Sequence, residues 1–140
     1  MGEQKISPEE VLKIMLKRDR FTRWLGLQID DHGKGYCKLH YPVREEMLNG
    51  LGSIHGGILF SAADSAFAFA CNSHGHITVA LDVSISFARA VHAGAVLTVE
   101  AREIHRGNKI GIYEVSTTDE EGRLVALFKG TAYQTSKEVD

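Results

Sequence analysis

The sequence predicts an α+β domain in which an antiparallel sheet wraps around one long central helix. Residues 56–72 form a helical stretch that is apolar on every side apart from Asp64, and such a helix belongs in a core. From residue 78 onward every segment reads as strand, with short turns between successive strands, the pattern of antiparallel pairing. One flat sheet face cannot cover a helix that is apolar all round. The sheet must therefore curl about it, and a second copy of the chain is the natural supplier of further cover.

Each element has local signals. Ser7-Pro8-Glu9-Glu10 reads as a helix start: Ser7 caps, Pro8 suits the first helical position, and Glu10 completes a capping box. That helix runs to about Asp19, with Val11, Leu12, Met15 and Leu16 on one face. Residues 24–31 are expected as a strand, Gly33-Lys34-Gly35 as a turn and 36–43 as the return strand, where Cys37, Leu39, Tyr41 and Val43 alternate with polar or exposed positions. After the loop 44–54, the long helix runs from about Gly56 to Asn72, with Gly75 available for a left-handed cap. In 78–87 strict alternation puts Val79, Leu81, Val83, Ile85 and Phe87 on one face. Strands over 95–105, 109–118 and 123–134 follow, joined by turns at Arg106-Gly107-Asn108 and Asp119-Glu120-Glu121-Gly122.

The 140 residues suit one domain over 1–140, with 1–22 as an N-terminal helical segment. At 44% apolar, 24% charged and a net charge of −2, the chain has no bulk attraction to nucleic acid or anionic lipid. The cations Lys13, Lys17, Arg18, Arg20 and Arg23 are interleaved with Glu9, Glu10 and Asp19 and read as a solvated face. Ile58–Cys71 is too short, and too polar at Asp64, to span a bilayer. Met1-Gly2-Glu3-Gln4-Lys5 lacks the apolar run of a signal peptide, so a cytoplasmic protein is expected, with no membrane or nucleic-acid partner. Cys37 and Cys71, the two cysteines, are expected as reduced, buried thiols. Cys71, His74 and His76 match no standard zinc spacing; a helix C-cap with exposed histidines is the expected reading, and no metal.

Asp64 and the entry His55-Gly56-Gly57 are the features that chemistry could use. A lone carboxylate in an apolar helix has either a partner or a task; a bond to neighbouring backbone, or a pair with Arg89 across an interface, remains an alternative to catalysis. The glycines leave the first amides of the helix open, where the dipole favours negative charge, as stabilisation of an oxyanion requires. Gly56 and Asp64 are eight residues apart, about 12 Å along one helix. One carbonyl cannot touch both, since catalytic groups act within about 3 Å. Two antiparallel helices about a two-fold axis would bring Gly56 of one chain to Asp64 of the other. Asp64 would then be nucleophile or general base, Gly56 the oxyanion donor, and His55 and Asn49 orienting groups. There is no Gly-x-Ser-x-Gly elbow.

Asn49-x5-His55-Gly56-Gly57-x6-Asp64 resembles the hotdog-fold acyl-CoA thioesterases, nearest to the phenylacetate-degradation type. The likeness extends through Ala63-Asp64-Ser65-Ala66-Phe67-Ala68, Phe87-Ala88-Arg89, Gly94, Gly111-Ile112-Tyr113 and Val125–Gly130, over roughly residues 20–133. It implies the hotdog fold, a homodimer often paired into a homotetramer as a dimer of dimers, and hydrolysis of a medium-sized or aromatic acyl-CoA. No separate cofactor is implied, because CoA is part of the substrate. Asp64, Gly56, Asn49 and His55 match catalytic positions of the family, and Gly57 and Arg89 substrate-binding ones. Where some relatives carry a water-orienting serine this chain has Ala80, and the usual Arg-Pro is Arg89-Ala90.

Two other functions fit a hotdog-like chain. A hydratase or dehydratase of this fold carries an acid about fourteen residues after its histidine, and that count from His55 falls on Phe69. A non-catalytic acyl-CoA-binding module has no need of Asp64.

Overall fold

The computed structural model describes residues 4–140. In chain order the elements are α1 (Pro8–Arg18), α2 (Arg20–Leu25), β1 (Gln28–Gly33), β2 (Tyr36–Pro42), a short 3-10 turn (Glu45–Met47), α3 (Gly56–Asn72), β3 (His76–Phe87), β4 (Val96–Arg106), β5 (Ile110–Thr118) and β6 (Leu124–Glu138). The capping box forms as expected: the Glu10 amide donates to Ser7 Oγ (3.1 Å) and the Ser7 amide donates to Glu10 Oε1 (3.3 Å).

All six strands join one antiparallel sheet, in the order β1-β2-β4-β5-β6-β3. α3 packs against every strand of it, so the sheet wraps the helix. The neighbours differ from sequence order at one place. The chain leaves the sheet after β2, passes through α3, and returns as β3 at the far edge, so β2 pairs with β4. The segment 88–95 then crosses back to the middle of the sheet, and this crossing builds one wall of the site described below.

Two local expectations are corrected. Trp24 and Leu25, expected as the start of a strand, instead end the helix α2, and the strand begins at Gln28. Asp19 caps α2 by accepting from the Thr22 amide (3.0 Å), and Gly26 closes it in the left-handed region at φ 78°. Thr22 and Ser65 hydroxyls meet at 3.0 Å and lay α2 on α3. The uniform apolar face of β3 is also broken. Ala80 pairs with Ala132 and Asp82 with Thr131, leaving Leu81 as a bulge that reverses which side chains face inward. Val83 and Ile85 pack toward the core, while Val79 and Leu81 are 47% and 58% exposed.

The core is centred where α3 meets the middle strands. Phe67 lies edge-on to Tyr113, with ring centroids 5.5 Å apart, and 5.6 Å from Phe128. Gly130 of β6 makes this possible, because a Cβ there would stand 2.8 Å from the Phe67 ring. No described helix is long and apolar enough to cross a membrane.

The contact at Gly130 sets a stability test. Alanine in place of a strand glycine gains roughly 0.5–1 kcal/mol in chain entropy, but overpacking a filled core costs about 1–3 kcal/mol. Phe67 is buried and has nowhere to move, so overpacking wins. Gly130→Ala is expected to lower the urea-unfolding midpoint, and Phe67→Leu in the same chain to recover part of the loss. A higher midpoint for Gly130→Ala would show that the ring yields.

Candidate active site

The start of α3 is built from its own amides. Ile58 and Leu59 N–H groups both donate to His55 O, at 3.0 and 3.3 Å. Gly57 N–H donates to His55 Nδ1 at 2.8 Å, which requires the lone pair on Nδ1 and leaves the ring proton on Nε2. A Cβ at residue 57 would stand 2.9 Å from that nitrogen, so glycine is what lets His55 fold back as the cap. The expectation that both glycine amides are open is therefore corrected. Gly57 N–H is occupied, and Gly56 N–H is the one without a partner among the described residues. It lies at the positive end of the helix dipole.

Gly56 opens into a cleft of about 400 Å³ whose lining includes Asn49, Leu59, Phe87 and Arg89. Two loops hold its rim together. The crossing segment 88–95 and the loop before α3 are joined by Ile54 N–H to Val91 O (2.8 Å), Val43 N–H to Ala95 O (2.8 Å) and Gly94 N–H to Val43 O (2.9 Å). Phe87 closes one side, near enough that a Cβ on residue 56 would stand 3.0 Å from its ring. Arg89 is exposed and makes no ion pair among the described residues. Asn49 Oδ1 accepts from the amides of Leu51 (2.9 Å) and Ser53 (3.2 Å). Its carbonyl thus shapes the turn entering the cleft, and its amide group, which reaches Ser53 Oγ at 3.3 Å, keeps one proton free.

Asp64 is not part of this cleft. It is half-buried, and its carboxylate forms no hydrogen bond or ion pair with a described residue. Burial pushes its pKa above the ordinary 3.8 because removal from water disfavours the charged form. Along α3, Gly57, Ser61, Asp64 and Ala68 are each incompletely covered and recur at helical spacing, so they form one stripe. Ser61, whose hydroxyl donates to Gly57 O at 2.8 Å, belongs to this stripe and was not singled out from the sequence. Its position three residues before Asp64 was the available signal.

The remaining nucleophile candidates are silent. Cys37 and Cys71 are free and buried, and burial raises both thiols to about 12, well away from thiolate chemistry. His74 is not the exposed residue expected: its side chain is 11% exposed and Nε2 lies 2.8 Å from Glu103 Oε1.

The thioesterase superfamily model matches residues 51–126, more than half of the chain, including the whole of α3 and all the cleft lining named above except Asn49. The chain is 39% identical over 120 residues to the acyl-coenzyme A thioesterase PaaI of Escherichia coli K12, covering 86% of each protein. It is 29% identical over 133 residues to acyl-coenzyme A thioesterase 13 of Homo sapiens, covering 91% of this chain and 94% of that one. The solved structure of E. coli PaaI, from the phenylacetic acid degradation operon, superposes with a TM-score of 0.92 at 35% identity, over 95% of this chain and 96% of that one. A Streptococcus mutans protein solved with acetyl CoA superposes with a TM-score of 0.77 at 26% identity, over 80% of this chain and 90% of that one. With its wrapped sheet, its bare amide at the start of α3 and these relatives, the chain belongs to the thioesterase superfamily and is a thioester hydrolase with the hotdog fold.

Proposed function

We propose that this protein hydrolyses acyl-CoA thioesters, of medium-sized or aromatic acyl groups, at two equivalent sites shared between the subunits of a homodimer. The observation that carries the proposal is the division of the catalytic groups on α3. The free Gly56 amide and the partnerless Asp64 carboxylate lie eight residues apart on one rigid helix, too far to act on one carbonyl.

Two surfaces support the dimer. β3 is a 12-residue edge strand with an unpaired side and exposed Val79 and Leu81; such an edge needs a partner. The stripe of α3 containing Asp64 is the other uncovered surface. Antiparallel pairing of two β3 strands about a two-fold axis would cover both and oppose the two α3 helices. On the family's pattern two such dimers would pair as a tetramer.

At each site the Gly56 N–H of one subunit donates to the thioester carbonyl oxygen, and the helix dipole favours the charge that develops there. The partner's carboxylate at position 64 either takes a proton from an attacking water or attacks the carbonyl carbon itself. Where water attacks, collapse of the tetrahedral intermediate breaks the C–S bond to give the free acid, and the proton held at the carboxylate passes to the departing thiolate. Where the carboxylate attacks, collapse expels the thiolate and leaves an acyl anhydride, which a water hydrolyses, regenerating the carboxylate and releasing the proton that the thiolate takes up. Its raised pKa makes this carboxylate a better base than an exposed one. The apolar side of the cleft, with Leu59 and Phe87, suits an apolar acyl or pantetheine arm, and Arg89 is placed for an anionic group.

A CoA-thioester panel with thiol detection tests the assignment. Asp64→Asn is expected to lower kcat by at least about a hundredfold; unchanged turnover removes Asp64 from the mechanism. In the active enzyme kcat/KM is expected to fall on the acid side with a midpoint above 3.8.

The same variant has a stability signature. Because the folded pKa is raised, the carboxyl favours folding below 3.8, and this contribution is lost as pH rises through the folded value. Asp64→Asn should therefore raise Tm at neutral pH, with the gain shrinking as pH falls toward 3.8.

Subunit mixing tests the shared site. Gly56→Pro removes the open amide, and proline suits the first helical position. His55, at φ −66° and ψ 135°, already has the backbone a pre-proline residue needs, and the exposed Phe87 ring, which a Cβ on residue 56 would meet at 3.0 Å, must shift by a few tenths of an ångström. Heterodimers of Asp64→Ala and Gly56→Pro chains carry one intact site of two and should recover up to about half the activity. Verified heterodimers with none would contradict a shared site.

A further inference from the structure

The outward face of α2 carries charge and aromatic surface that the thioester site does not use. At about 100° per residue, Thr22 and Leu25 fall on one side of this helix, and Arg20, Phe21, Arg23 and Trp24 on the other. The first two are buried and the other four exposed. Phe21 and Trp24 stack, with ring centroids 5.9 Å apart and planes 26° from parallel, yet they remain 50% and 64% exposed. Lys17, in the last turn of α1, is a further exposed cation just before this helix.

The face is held rigidly, and its charge is not neutralised. Thr22 Oγ1 meets Ser65 Oγ at 3.0 Å and fixes α2 on α3. Arg44 donates to the carbonyls of Leu25 (2.9 Å) and Trp24 (3.2 Å) and closes the far end. Neighbouring acids are engaged elsewhere. Asp19 accepts from the Thr22 amide (3.0 Å) and hydroxyl (2.6 Å), Glu9 pairs with Lys13 at 3.6 Å, and Glu46 with Arg44 at 2.7 Å. Lys17, Arg20 and Arg23 form no ion pair among the described residues.

Charge alone reads these cations as a solvated face; the exposed rings between them change that reading, because clustered apolar surface marks a contact. Three observations decide with what. The cations call for an anionic partner. The rings lie on the outer side of a helix rather than in a groove, which suits a broad, flat partner. They also stack on each other, so part of the ring surface on which a nucleotide base would stack is taken. Tryptophan and phenylalanine set between arginines is the pattern of a helix at a bilayer surface, where the rings enter the headgroup boundary and the cations meet lipid phosphates.

We propose that this face of α2 docks the protein on anionic lipid bilayers, through Phe21 and Trp24 and the cations Lys17, Arg20 and Arg23. The attraction is local. The whole chain carries a net charge of −2, but exposed charges farther off than roughly 8 Å are largely screened at physiological salt. Docking would bring the enzyme to a surface where thioesters with apolar acyl arms collect. That consequence rests on the substrate proposed above; the patch itself does not.

Vesicle binding tests the patch, and Trp24, the only tryptophan in the chain, reports on it directly. The free protein should show the long-wavelength emission of an indole in water. Vesicles of phosphatidylcholine and phosphatidylglycerol in equal parts should move this emission to shorter wavelength and carry the protein with them in flotation. Vesicles of phosphatidylcholine alone should bind far more weakly. A cation at an anionic surface is worth about fivefold in partitioning, so Arg20→Gln/Arg23→Gln should weaken binding roughly twentyfold at unchanged Tm. Lys129→Gln/Lys137→Gln, which removes the same charge from exposed positions of β6, should weaken it much less. No binding to the mixed vesicles, binding with no change in Trp24 emission, or equal losses in the two double variants would overturn the proposal. So would short-wavelength emission without vesicles, which would place a second copy on this face, or binding of single-stranded RNA in preference to vesicles. None of these readings uses turnover, so this failure is distinct from a failure of Asp64 as the catalytic carboxylate.

Discussion

The structure depends on one constraint: α3 is apolar on nearly every face and must be covered. Six strands cover most of it, reaching around the helix because no flat face could. α1 and α2 close a further side, held by the Thr22–Ser65 contact. What is left is the stripe of Gly57, Ser61, Asp64 and Ala68. Packing of the helix thus determines both the curvature of the sheet and the position of the one carboxylate that the core does not neutralise.

The same helix carries the groups proposed to act on the thioester. Its first turn needs donors satisfied, and the chain satisfies them unequally. His55 takes up Gly57 N–H with its side chain and the next two amides with its carbonyl, which leaves Gly56 N–H exposed to the cleft. An unused amide at a helix start and an unpaired, half-buried carboxylate are each unfavourable for stability alone. Both occur on one helix of a thioester hydrolase, the expected place for local rules to be broken in favour of function.

Much of this was legible in the sequence because it rests on local rules. The Ser7 capping box, the helix from Gly56, the hairpin turns and the lone acid all follow from spacing and residue type. The helical rise alone separates Gly56 from Asp64. Other features depend on long-range partners. The place of β3 at the sheet edge is a matter of topology, and alternation along 78–87 cannot show the bulge at Leu81. α2 was hidden because Phe21, Trp24 and Leu25 suit a strand as well as a helix, and its cap and contact with Ser65 decide the matter. That Gly57 N–H is occupied depends on the His55 rotamer.

The central claim is that one carbonyl is held by the α3 start of one subunit and the Asp64 carboxylate of the other. A crystal structure with a non-hydrolysable thioether or amide analogue of an acyl-CoA tests it most directly. The predicted result has the analogue's carbonyl oxygen, or the atom replacing it, at hydrogen-bond distance from Gly56 N–H, with the carboxylate beside the reacting carbon supplied by the partner subunit. An analogue bound with both groups from the same chain, or away from the Gly56 cleft altogether, would contradict the account.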